Sequence, residues 1–250
     1  MNTCVRLIAV GLALVALLAV ARGEAAEINV LSTVGIQPAT PELFSQFEAA
    51  TGHRVVVSYD LPAVLKTRVL EGAQADVLIL PSGMIDDLAK QGKIVGESKK
   101  DVARSRIGIA MKADAVKPDI STPEALKAAV LSTKSIGYAR EAPSGVAFDR
   151  VLERHGIGEE VRRKSKDTGS KALEMLAAGE IDLAVAQIPV IVAASGVDLV
   201  GPLPAELQTT TVFSVGLATA AQNRAAAGAL IEFLAGPSAM AVYKAKGLGE

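Results

Sequence analysis

Cysteine is all but missing. The chain has one, Cys4, and it stands ahead of an apolar run, Leu7–Ala21. A mature chain beginning beyond that run has no disulfide, no thiol nucleophile and no thiolate metal site. Cys4 also lies on the wrong side of the run to be the lipid-modified residue of a lipoprotein signal. Histidine is nearly as scarce: His53 and His155 each sit beside a glycine at a predicted helix end, where an imidazole meets the last carbonyls rather than a metal. Tryptophan is absent and aromatic residues make up only 3% of the chain, so there is no tryptophan signal to follow. There is no His-Glu-x-x-His, no Gly-x-Ser-x-Gly and no glycine-rich loop ending in Gly-Lys-Ser/Thr. Gly156-Ile-Gly158 lacks a third glycine and follows a helix, which makes it a turn. The net charge is −1, which points neither to nucleic acid nor to an acidic membrane surface. With no catalytic motif, the expectation is a protein that is not an enzyme and that carries no cofactor or metal.

Half of the residues are hydrophobic and 21% are charged, a globular composition. Met1–Arg6 ends in a positive charge, and Leu7–Ala21 is an unbroken apolar or small-residue stretch. That stretch is short for a membrane span, which takes roughly 20 residues, and right for the core of a secretory signal. Small residues at Gly23 and Ala25 offer cleavage sites, so residues 1–25 are expected to be a signal peptide. The mature protein is then an exported, soluble monomer in the periplasm.

Beyond the leader, strand and helix patterns alternate. Strands are predicted at Glu27–Leu31, Arg54–Ser58, Asp76–Leu80, Arg106–Met111, Ser135–Ala139, Asp182–Gln187 and Thr211–Leu217. Helices are predicted from Pro41 with Thr40 as its N-cap, from Gly83 capped by Ser82, and from Pro62, Pro123, Pro143, Ser170, Pro189, Gln222 and Ser238. Near-continuous Val/Ile/Leu strands between helices predict parallel sheets covered on both faces. The rhythm lapses near 112–120 and near 201–206, which favours two units over one. The expected fold is α/β, with two doubly wound lobes joined by a two-stranded hinge and a ligand cleft between them. Residues 26–108 plus 207–250 would form lobe 1 and residues 109–206 lobe 2.

The most informative stretch is Ser135–Phe148. A strand ends in a turn containing Arg140, and Pro143-Ser144-Gly145 then opens an amphipathic helix. Free N–H groups and the positive end of the helix dipole converge there on a spot suited to an anion. Similar turns follow Leu31 and Ser58 and precede Ser170. In facing sheets, the carboxyl ends of the strands would bring all of them to one cleft.

These residues resemble one family, the periplasmic molybdate-binding proteins of ABC importers, within the type II periplasmic binding-protein group. The segment Glu71-Gly72-Ala73-Gln74-Ala75-Asp76 and its apolar sequel are similar to a family signature. So are the Ala142-Pro143-Ser144-Gly145 turn and Phe233-Leu234-Ala235-Gly236-Pro237. The resemblance implies a small anionic ligand and a membrane permease as partners, with no role for nucleic acid.

That family holds its oxyanion with two serine hydroxyls, backbone N–H groups and usually a tyrosine. Here the serine positions fall on Gly35 and on or beside Leu61 and Pro62, and the tyrosine position on Gln187. Backbone donors near Ser144, Gly145, Gly169 and Ser170 would carry over. Ser32, Thr33 and Tyr59 are replacement donors, and Arg140 is a candidate carboxylate fork. Fewer hydroxyls and a more apolar wall favour an organic carboxylate over molybdate. Two alternatives remain: an exported enzyme on this fold, of dehydratase type, or a binding module serving a sensor.

Overall fold

The computed structural model describes residues 25–249. The expected leader, but for Ala25, lies outside the described residues.

Two five-stranded sheets make the frame. The first contains β1 (Glu27–Thr33), β2 (Arg54–Asp60), β3 (Val77–Pro81), β4 (Lys100–Ser105) and β10 (Thr211–Leu217), in the order β2-β1-β3-β10-β4. The second contains β5 (Ile107–Lys112), β6 (Ile136–Tyr138), β7 (Ser165–Asp167), β8 (Leu183–Gln187) and β9 (Val197–Pro202), in the order β7-β6-β8-β5-β9. Neither sheet is wholly parallel, as the apolar runs alone suggested. In each, the strand in fourth place runs against its neighbours: β10 against β3 and β4, and β5 against β8 and β9. The chain leaves the first sheet at Ser105, enters the second at Ile107, and returns between Pro202 and Thr211.

Both faces of each sheet are covered, which is why β3, in the middle of the first sheet, is apolar at every position. Along β3, Val77 and Ile79 enter one core with Leu43, Phe47, Phe213 and Leu230. Leu78 and Leu80 enter another with Leu65, Val69, Ile85 and Leu88. The first core is closed by α1 (Thr40–Thr51), α9 (Arg224–Leu234) and α10 (Pro237–Ala245), and the second by α2 (Pro62–Leu70) and α3 (Ser82–Lys90). In the second sheet, Ile107, Ile109 and Val185 face α4 (Pro123–Ser132), α5 (Pro143–Arg154) and α6 (Gly158–Lys164). Ala110 and Ala184 face α7 (Ala172–Ala177) and α8 (Ile188–Ala193).

Local chemistry explains several boundaries. Thr122 caps α4 by accepting from Ala125 N at 3.1 Å. Thr40 had looked like an N-cap, but the cap position is Ala39, and the Thr40 hydroxyl instead meets Tyr59 Oη at 2.6 Å. Strands β4, β7 and β9 were not anticipated. Each is an edge strand, and β4 (Lys-Asp-Val-Ala-Arg-Ser) and β7 (Ser-Lys-Asp) are largely polar.

Candidate functional site

The parallel strands β1, β2, β6 and β8 end at a common cavity of about 80 Å³ between the two sheets. That is several times the room one water needs, enough for a small solute. The first sheet contributes Thr33, Val34 and Gly35 after β1, Leu61 and Pro62 at the start of α2, and Phe213 from β10. The second contributes Ala139, Ala142, Pro143 and Ser144 around the start of α5, then Gly169, Ser170, Ala172 and Leu173. Val185, Ala186 and Gln187 of β8, with Val190 behind them, complete the wall. Among the described residues lining it there is no Asp, Glu, Lys, Arg or His. Nor do the described residues hold any group of three or more His, Cys, Asp or Glu side chains placed for a metal ion.

The wall is apolar, but donors are aimed at it. Helix α5 starts with Pro143, which has no N–H to strand, and the first N–H to find an acceptor is Val146, on Ala142 O at 2.9 Å. The N–H groups of Ser144 and Gly145 stand ahead of that bond, without intrahelical partners. Helix α2 repeats the pattern from the opposite sheet: Pro62 leads, Leu65 N donates to Leu61 O at 3.0 Å, and no side chain caps the end. Two positive dipole ends thus border one cavity from two sides, which favours negative charge there. Gly145 is needed for this approach, because a Cβ at that position would run into the Ala139 carbonyl oxygen.

The expected ligand residues divide into two groups. Thr33, Gly35, Leu61, Ser144, Gly169, Ser170 and Gln187 all line the cavity. Four do not. Ser32 is fully buried with its hydroxyl on Thr33 O at 3.4 Å, and Gly145 lies behind Ser144. Tyr59 lines a wider groove of about 950 Å³ that shares Val34, Ser170, Leu173 and Val190 with the cavity; burial raises its pKa, and its bond to Thr40 opposes the rise. Arg140 is the main correction. Its guanidinium turns away from the cavity, donating from Nη2 to Ser165 Oγ at 2.8 Å, because β7 runs beside β6 and offers an acceptor there.

Sequence reasoning missed Phe213, the one aromatic side chain on the cavity wall among the described residues, and Thr211 on the same strand. Phe213 explains Gly35: a Cβ at 35 would lie 2.8 Å from Phe213 Cζ and 3.1 Å from Cε1. The ring fills the space that a serine side chain would need. Gln187 is 6% exposed; its Nε2 donates to Thr211 Oγ1 at 2.9 Å, and its Oε1 has no partner among the described residues.

Residues 28–249 match the family described as bacterial extracellular solute-binding protein. The chain belongs to that family. The molybdate-binding protein ModA of Azotobacter vinelandii is 27% identical over 237 residues, covering 90% of this chain and 91% of its own. The structure of the A. vinelandii periplasmic molybdate-binding protein superimposes with a TM-score of 0.75 at 22% identity, over 88% of this chain and 98% of that one. The resemblance to molybdate-binding proteins and the type II fold are therefore established. An aconitate isomerase from a Pseudomonas species is 29% identical over 228 residues, 88% of this chain and 87% of its own. This match overturns the expectation that the chain is not an enzyme, since a relative aligned over nearly its whole length bears an enzyme's name.

Proposed function

We propose that this member of the solute-binding family closes on a small organic polycarboxylate and isomerises it, in the manner its aconitate-isomerase relative suggests. The observation that carries the reading is the cavity itself. Its wall is mostly apolar and, among the described residues, free of charged side chains, yet two helix N-termini from opposite sheets point positive ends at it. Such a site suits an anion with an apolar carbon body better than a bare tetrahedral oxyanion, which wants hydroxyl donors all round.

Moving a double bond by one carbon beside a carboxylate needs a proton taken from one end of the allyl unit and returned to the other. The negative charge that develops meanwhile would be held by the Ser144 and Gly145 N–H groups. Among the described residues, Glu174 is the only carboxylate lining the groove that opens past Ser170, and it is the candidate proton carrier. Residues 26–108 plus 207–250 and residues 109–206 would move as two lobes, the protein acting in the periplasm after loss of its leader. Its likeness to molybdate-binding proteins favours a companion role, delivery of the bound solute to a membrane permease.

The test is to incubate the mature chain with trans-aconitate and follow it by proton NMR. Conversion to the cis isomer, lost in Glu174→Gln while binding persists, supports the proposal. A ligand at one hundred times its dissociation constant adds about 2.7 kcal/mol. That corresponds to a melting shift of roughly 5–11 °C. Neither shift nor turnover with aconitate, citrate and fumarate would overturn it.

A further inference from the structure

Gln187 is the one buried side chain on the cavity wall with a polar atom left unpartnered among the described residues. Its single hydrogen bond is unusual in direction. Gln187 ends β8 of the second sheet and Thr211 begins β10 of the first, so the 2.9 Å bond between them runs from one sheet to the other.

Both partners are ambivalent. A threonine hydroxyl accepts or donates, and a glutamine amide presents oxygen or NH2 according to a half-turn of its plane. With Nε2 on Thr211, the buried Oε1 is an acceptor with nothing to accept, and it opposes any carboxylate nearby. With the amide turned over, Thr211 donates to Oε1 and Nε2 becomes a donor for the ligand. The second arrangement satisfies the hydroxyl proton, the amide oxygen and an anionic ligand together.

We infer that Thr211 is a positioning residue: by donating to Gln187 Oε1 it turns the amide NH2 toward a ligand carboxylate, and so sets the site's preference for acceptors. The inference rests on the carboxylate ligand proposed above. It assigns a binding role to a residue from the opposite sheet that the cavity wall does not include.

The experiment is a double-mutant cycle on trans-aconitate binding, read by calorimetry. Thr211→Val should weaken binding about tenfold or more, the size expected for one hydrogen bond to a charged group. Thr211→Ser, which keeps the hydroxyl, should stay within about twofold of the parent. On a Gln187→Met background, Thr211→Val should make no further difference, because Thr211 acts only through the amide. In the parent and in Thr211→Ser, the Gln187 side-chain NH2 resonances should shift on ligand addition. Equal losses on both backgrounds, or no loss in Thr211→Val, would overturn the inference while leaving the carboxylate site standing. If the parent binds none of aconitate, citrate or fumarate, both fall together.

Discussion

Replacing Gly35 by serine puts the packing of the cavity to a quantitative test. The new Cβ would sit 2.8 Å from Phe213 Cζ, closer than real Cβ contacts come, and the hydroxyl would need further room. Phe213 is 1% exposed and belongs to the core shared by β3, β10 and α9, so its ring has little freedom to withdraw. Overpacking of this kind costs roughly 1–3 kcal/mol. For a chain of this length that is a fall in melting temperature of about 2–12 °C. Phe213→Leu alone should also destabilise, by roughly 1–2 kcal/mol, through lost contacts. The double variant Gly35→Ser/Phe213→Leu should then be more stable than the sum of the two losses predicts, by at least about 0.5 kcal/mol, because leucine vacates the ring tip. Thermal melts followed by circular dichroism suffice. Strict additivity, or a Gly35→Ser variant as stable as the parent, would show that the ring does not exclude a side chain at 35. The double variant is also where molybdate should gain, since one hydroxyl bond to a charged partner is worth about 1.5–3 kcal/mol.

Other consequences are open to the same methods. Tyr243 is fully buried with its hydroxyl unpartnered among the described residues, so Tyr243→Phe should leave stability unchanged or raise it by up to about 1–3 kcal/mol; a clear loss would reveal a hidden partner. Gly145→Ala should drive α5 off the Ala139 carbonyl and weaken anion binding together with stability, measured by titration and melting; a neutral result would count against the close approach. Arg140→Ala should lose the bond to Ser165 and some stability while affinity stays within about twofold, read by titration; an abolished affinity would restore Arg140 to the site. All three tyrosines are pushed upward by burial, Tyr138 to about 12 with Asp149 adding to the effect. Folded pKa values raised above the free value of about 10 mean stability fully present below pH ~10 and lost as the pH climbs through the raised values. Tyr138→Phe should flatten part of that limb in a pH series of melts.

What the sequence made legible follows from what is local. Apolar runs such as Val77–Leu80 announced buried strands, and Pro62 and Pro143 marked helix starts that border the cavity. The turn from Ala142 to Gly145 pointed to the cavity-bordering end of α5 without any tertiary information. Arg140 was misplaced because a side chain's direction at a strand end depends on its neighbour, and β7 has only three residues, two of them exposed. Phe213 and Thr211 were out of reach for a different reason. Neither is local in sequence to its partner, Gly35 or Gln187, and the insertion of β10 between β3 and β4 places them. The likeness to an enzyme showed no motif either, since among the described residues no charged side chain lines the inner cavity.

The place of β10 bears on the order in which the protein acquires its structure. Every strand of the second sheet lies within residues 107–202, a continuous piece of chain. The first sheet is open between β3 and β4 until β10 arrives, and the Ser214–Asp101 hydrogen bond there closes a separation of 113 residues. Pairing over such a distance pays its loop entropy before any contact rewards it, so it is slow. During synthesis or after export, the second sheet has all its parts while β3 still presents an unpaired apolar edge, the kind of surface that recruits other chains. Amides of β6 and β8 should therefore gain protection in pulsed hydrogen exchange before those of β3, and aggregation of refolding intermediates should start from the Val77–Pro81 edge.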